Sequence, residues 1–273
     1  MIKRDLEPAG LRFGGTSWVT PGTFADNLRY LSNEVSDMEI VLFDTPEHSN
    51  MPSKDEVRAL KDLCGELGMS CTVHFPADIC ATASAEDLSK REEMCLRTLD
   101  LFGDLDPFAW ILHIVGEKRG DPPSPNIDDW LEKSLLSTEK IASAADDKRK
   151  ICMETLDFDP RYVEHLADLA GTSICLDVGH LIKCGRPVLE TAGNLADDVR
   201  VLHIHGVMSD GTDHRDLSYM DPELFRSVTE MMSGGRDRVM TIEVFEDDYD
   251  RSLNAIKKMF DETFDKSLLT KKG

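Results

Sequence analysis

Short apolar runs rich in Val, Ile and Leu recur along the whole chain, separated by amphipathic stretches. Eight of them read as strands: Leu11 to Gly15, Met38 to Phe43, Met69 to His74, Phe108 to His113, Arg149 to Glu154, Thr172 to Asp177, Val199 to His203 and Arg238 to Glu243. Consecutive run ends lie between 23 residues (Glu154 to Asp177) and 41 residues (His113 to Glu154) apart, room for a strand, a helix and two loops. The spacing between the runs is helical. Phe24, Leu28, Leu31 and Val35 make one apolar stripe; Leu88, Cys95, Leu99 and Phe102 make a second; Tyr249, Leu253, Ile256 and Phe260 make a third. Ser53-Lys54-Asp55-Glu56 is a capping-box pattern that opens a helix. Gly116 to Asn126, with Pro122, Pro123 and Pro125, reads as a loop inserted into this alternation.

Strand and helix in strict alternation mean a parallel sheet, and eight such units predict a closed (β/α)8 TIM barrel. One domain is expected over residues 1–273, with an irregular tail from about residue 265. A doubly wound open sheet would want a GxGxxG first turn, and Gly14-Gly15-Thr16-Ser17-Trp18 lacks that spacing.

In a barrel all strand ends converge on one mouth, which gives the polar residues at those ends their meaning. His74, His113 and His203 end three runs; Glu154, Asp177 and Glu243 end three more. His180 follows Asp177 by three residues, and His214 lies in the loop after the seventh run. Taken singly, a strand-end His is more often a hydrogen-bonded structural residue, and Asp177 could simply cap a helix. Together, imidazoles and carboxylates are the ligands of zinc and related divalent ions. The expected metal set is therefore His74, His113, Glu154, Asp177, His180, His203, His214 and Glu243, too many for one ion. Two or three zinc ions are expected, with manganese as an alternative. His205 shares a strand face with His203 and is assigned to substrate or to a supporting contact; beside His214, Asp213 is either a ligand or not one. Arg215 is a candidate phosphate contact and Trp18 a candidate stacking surface, although a solvated loop Arg and a packing Trp are the plain alternatives. His165 falls inside a predicted helix and serves packing or the surface; His48, in a loop, could do either.

Composition narrows the partners. The 273 residues carry 31 Lys plus Arg against 52 Asp plus Glu, a formal charge of −21, which would repel a phosphate backbone and counts against nucleic acid. No apolar stretch reaches the length of a membrane span, and the first residues hold no signal-peptide core, so a cytoplasmic protein is expected. Seven Cys without a CxxC pair, with Cys71, Cys152 and Cys175 inside apolar runs, read as buried free thiols.

With those positions the chain resembles the xylose-isomerase-like barrel superfamily, which includes endonuclease IV and many sugar-phosphate isomerases and epimerases. Glu154, Asp177, His203 and Glu243 match the metal set of the isomerases. His74, His113, His180 and His214 match the added histidines of endonuclease IV, and Asp177-x-x-His180 shares its spacing. Contiguous Asp213 and His214 depart from that enzyme's Asp-x-His. Gly15-Thr16-Ser17 with Pro21, Met38 to Phe43 leading to Ser49-Asn50-Met51-Pro52, Cys71 to Asp78, and Leu112-His113 look like the cobamide-remodelling phosphodiesterases. That resemblance implies metal-dependent hydrolysis of the phosphoribosyl bond in the cobamide nucleotide loop. Glu154 would bridge metals, and Asp177 or Glu243 would orient water. The alternatives are a sugar-phosphate isomerase or epimerase using one Mn or Mg ion, an endonuclease IV-like AP endonuclease, and a corrinoid-binding or metal-storage module without turnover.

Overall fold

The computed structural model describes Ile2 and residues 6–263, with side chains to residue 260. The tail expected from about residue 265 lies outside the described residues. Eight parallel strands close a barrel: β1 (Leu11–Thr16), β2 (Asp37–Val41), β3 (Ser70–His74), β5 (Trp110–Leu112), β7 (Ile151–Glu154), β8 (Ser173–Asp177), β9 (Val199–Ile204) and β10 (Arg238–Ile242). They follow one another in chain order, and β10 pairs with β1 to complete the ring, Ile242 opposite Gly15. All eight coincide with runs read from the sequence.

One strand end differs. The fourth barrel strand stops at Leu112, and His113 sits between it and a two-residue strand β6 (Ile114–Val115), which pairs in parallel with β4 (Ile79–Cys80). The Ile79 amide donates to the His113 carbonyl at 2.9 Å. This small addition carries Asp78 to the imidazole of His113.

Helices α1 (Phe24–Leu31), α2 (Lys54–Leu67), α3 (Ala85–Phe102), α4 (Ile127–Ala142), α5 (Pro160–Ala170), α6 (Val178–Lys183), α7 (Val188–Leu195), α8 (Pro222–Met232) and α9 (Asp247–Thr263) connect the strands. Capping boxes Thr23/Asp26 and Ser53/Glu56 start α1 and α2, each satisfying free amides and contributing about 1 kcal/mol. The predicted stripes are buried: Leu28, Leu31 and Val35 from the first, Cys95, Leu99 and Phe102 from the second, and Tyr249, Leu253, Ile256 and Phe260 from the third. The segment 116–126 contains no helix or strand. The seven Cys are free, five of them buried. No helix among the described residues is long and apolar enough to cross a membrane.

Candidate metal centre

Residues two apart on a strand share a face. Cys152 and Glu154 on β7, Cys175 and Asp177 on β8, and Val201 and His203 on β9 obey this rule. Cys152, Cys175 and Val201 join Ala109 and Ile111 in a small apolar cluster. One step further along each strand stand Glu154, Asp177 and His203, all at most 1% exposed. The apolar plug keeps water from below, so the ionisable groups face each other in a poorly solvated space.

Among the described residues their atoms form four groups. His74, His113 and Glu154 make one; Glu154, Asp177, His203 and Glu243 make a second; His180, His205 and His214 make a third; Glu154, Cys175 and His203 make a fourth that overlaps the second, each with ligand-type atoms within 4.8 Å of one another. Glu154 belongs to three of them. Its Oε2 lies 2.9 Å from His113 Nε2 and 3.3 Å from His203 Nδ1, while Oε1 lies 3.4 Å from His180 Nδ1. Glu243 Oε2 is 3.2 Å from His203 Nδ1 and 3.5 Å from His214 Nε2, so it spans the second and third groups.

Each of three histidines has one ring nitrogen held by an oxygen and the other turned into the cluster. His74 Nδ1 donates to the Phe75 carbonyl at 3.0 Å, His113 Nδ1 to Asp78 Oδ1 at 2.8 Å, and His203 Nε2 to Glu39 Oε2 at 2.9 Å. That pattern fixes the tautomer and leaves a lone pair for a metal, as ligating histidines require. His205 is fitted by close packing: a Cβ at Gly179 would lie 2.1 Å from its ring, so α6 can pass here only with glycine. Its Nδ1 lies between the Gly206 carbonyl (3.3 Å) and the His214 amide (3.1 Å), and its Nε2 is 3.4 Å from Asp177 Oδ1. His214 adopts φ +53° to reach that position.

Do these residues fit divalent ions? Asp177 Oδ2, His203 Nδ1, His205 Nε2 and Glu243 Oε2 are buried without a hydrogen-bond partner, which is costly unless something else satisfies them. Four ligands about 2.0–2.1 Å from a tetrahedral ion stand roughly 3.3–3.4 Å apart. The separations of 3.2 to 3.5 Å from His203 to Glu154 and Glu243 and from His214 to Glu243 match that spacing rather than a short hydrogen bond. The donor set fits.

Without an ion, histidines neutralise the carboxylates. Burial pushes the Glu154 carboxyl up, but His113 and His203 outweigh it and hold it well below its usual range. Burial likewise depresses His113, and Glu154 with Asp78 raises it to about 10. His74, lowered by burial and by His113, is the group most readily neutral.

The remaining predicted residues lie around this cluster. Asp213 Oδ2 accepts from Lys183 Nζ at 2.6 Å, and its Oδ1 is 3.5 Å from His214 Nδ1. Arg215 Nε is 3.3 Å from Asp248 Oδ2, and its side chain is partly exposed. Trp18 is 38% exposed, donating from Nε1 to the Val41 carbonyl with its ring tilted on Phe43. His165 is exposed on α5, and His48 is an exposed loop residue stacked on Phe43.

Three contributors were not singled out from sequence. Glu39 is wholly buried in β2 and accepts from both His203 and Thr241; a lone acid inside an apolar run was the available signal. Asp78 carried no such signal, because only the β4–β6 pairing brings it to His113. Cys175, read as a buried thiol, groups with Glu154 and His203.

The sequence matches the family model described as Xylose isomerase-like TIM barrel over residues 34–261. No curated protein matches it. Similar solved structures include a D-tagatose 3-epimerase-like protein, with 19% identity, a TM-score of 0.70, and coverage of 92% of this chain and 97% of that one. A D-allulose 3-epimerase from Methylomonas sp. in complex with D-allulose gives 16% identity, a TM-score of 0.67, and 94% and 99% coverage. The 3-keto-D-glucoside 4-epimerase YcjR from E. coli gives 15%, 0.66, and 91% and 98%. At such identities the likeness is one of fold. Because the family match runs from just before β2 into α9, taking in the mouth residues of seven barrel strands, the chain belongs to the xylose isomerase-like TIM barrel family.

Proposed function

We propose that this protein is a metal-dependent phosphodiesterase acting on a small phosphodiester, the phosphoribosyl linkage in the nucleotide loop of a cobamide. The supporting observation is Glu154, whose Oε2 faces His113 and His203 while its Oε1 faces His180, which groups with His205 and His214. That inventory exceeds one ion. Bound zinc or similar ions would supply Lewis acidity, activating water and offsetting charge on the phosphate oxygens.

The chain's own residues set the geometry. Glu154 bridges the groups; His74 and His113 serve one side, and His203, Asp177 and Glu243 the other. Asp177 Oδ1 is fixed by the His180 amide at 2.7 Å, and Oδ2, 3.0 Å from His180 Nδ1, would orient water from the same position. His205 Nδ1 accepts from the His214 amide at 3.1 Å, which sets its proton on Nε2 toward Asp177 Oδ1, so His205 supports Asp177 beside His180 and His214. Arg215 is partly exposed beside the third group and meets a phosphate oxygen once it leaves Asp248.

A second reading, sugar epimerisation or isomerisation, is favoured by the similar solved structures. Glu154, Asp177, His203 and Glu243 would then hold one Mn or Mg ion, and two carboxylates would move the proton next to a carbonyl. An AP endonuclease is disfavoured by the charge of −21.

Metal analysis of protein purified without chelator, followed by chromatography of adenosylcobalamin before and after incubation, separates these readings. More than one equivalent of metal, with cobinamide phosphate and the lower-ligand riboside as products, is the expected result. One equivalent with the cobamide intact would shift the assignment to the epimerase reading.

A further inference from the structure

A cavity of about 570 Å³ lies on the rim of the barrel mouth, between the loop after β1, the loop after β2 and the first turns of α2. Its volume falls in the roughly 300–1,000 Å³ range of small-molecule pockets. Trp18, Phe24, Met51, Pro52 and Leu60 give it apolar walls, and Glu246 places a carboxylate at one edge. Strands β1, β2 and β10 are neighbours in the barrel, so the cavity stands beside the end of β10 that carries Glu243.

Both loops are pinned from inside. Asn27, 1% exposed, accepts from the Val19 and Thr20 amides and donates to the Thr20 and Thr23 carbonyls. Asn50 does the same for the second loop, accepting from the Phe43 amide and donating to the Val41 carbonyl. The walls are therefore formed before any ligand arrives. The Trp18 carbonyl accepts from the Glu246 amide at 3.0 Å, joining the cavity to the segment after β10. In that segment Phe245, 40% exposed, lies 6.1 Å from the His214 ring and nearly parallel to it. The segment after β10 thus touches both the third histidine group, through Phe245, and the cavity, through Glu246.

We infer that this cavity binds a planar heteroaromatic ring of the substrate, stacked against Trp18. The inference rests on the phosphodiesterase reading in placing the reactive phosphate at the histidine groups. An exposed indole offers a flat apolar face on which a planar ring can stack. The pinned loops reduce the ordering cost of binding.

The test uses metal-free full-length protein, so it is independent of turnover and of metal count. Calorimetric titration with benzimidazole should show saturable binding, and ribose should show none. Trp18→Ala and Ala59→Phe, the latter filling the cavity from an exposed position on α2, should each weaken benzimidazole at least tenfold with unchanged circular dichroism. Absence of benzimidazole binding to the wild type, or equal affinity in a folded Ala59→Phe variant, would overturn the assignment. Should Trp18→Ala fail to fold, Ala59→Phe decides alone. Loss of the phosphodiesterase reading, by one metal equivalent and no hydrolysis, leaves this titration interpretable as it stands.

Discussion

His203 Nε2 lies 2.9 Å from Glu39 Oε2, and both side chains are wholly buried. The same oxygen accepts from Thr241 Oγ1 at 3.1 Å. Glu39 therefore sets the imidazole so that Nδ1 looks toward Glu154 and Glu243. Glu39→Gln removes the charge while keeping the size. Loss of such a supporting partner costs about 10–100-fold in metal affinity, so competition titration with a zinc chelator should show weaker binding in that range. Unchanged affinity would mean that Glu39 is only a packing residue.

Gly179 decides whether His205 can join the third group. An added Cβ would lie 2.1 Å from the ring, and overpacking of this kind costs about 1–3 kcal/mol. Gly179→Ala should bind less metal than the wild type and melt at a lower temperature. Metal analysis and thermal unfolding check both; full metal content would show that His205 does not support the third group.

Glu154 serves two groups at once, and His180 touches both Glu154 and Asp177. Since removal of outer partners already costs about 10–100-fold, Glu154→Ala and His180→Ala should lower cobamide hydrolysis by more than about 100-fold with the circular dichroism retained. Retained turnover in both would show that the chemistry uses other residues.

Removing the metal should destabilise the protein, because ions that bind only the folded chain add stability by mass action. An ion present at a thousand times its dissociation constant contributes about 4 kcal/mol. A chelator should lower the melting temperature, and added zinc should restore it. An unchanged melting curve would count against structural occupancy of these groups.

Asp37, at the start of β2, tests the electrostatics of the opposite end of the barrel. Burial raises its carboxyl, opposed by the hydrogen bond from Ser70 and the charge of Arg12. A raised folded-state value means that stability is unaffected below the unfolded pKa of about 4 and declines as pH rises toward the folded one, by about 1.4 kcal/mol for every tenfold difference in acidity. Asp37→Asn should match the wild type near pH 3 and exceed it at pH 7. Denaturant titrations at both values measure the difference, and a variant less stable at pH 7 would reverse the sign.

The alternation of apolar runs with helical stripes was enough to place all eight barrel strands, because strand and helix periods are local properties of the chain. The same local reading found the residues at the strand ends, since a barrel gathers them at one mouth whatever their partners. Pairing was not local. His203 and His205 are both wholly buried and share one face, so no spacing rule says which carboxylate each meets. The close approach of α6 at Gly179 seats His205 beside His180 and His214. Glu39 reaches its histidine from another strand and Asp78 from the segment just before β4, and Asp213 turns to Lys183. Local patterning was enough for the barrel and for the chemistry available at its mouth. Which nitrogen faces which oxygen follows only from the folded chain, because distances between side chains on different strands depend on barrel closure and on loop packing, which no single segment encodes.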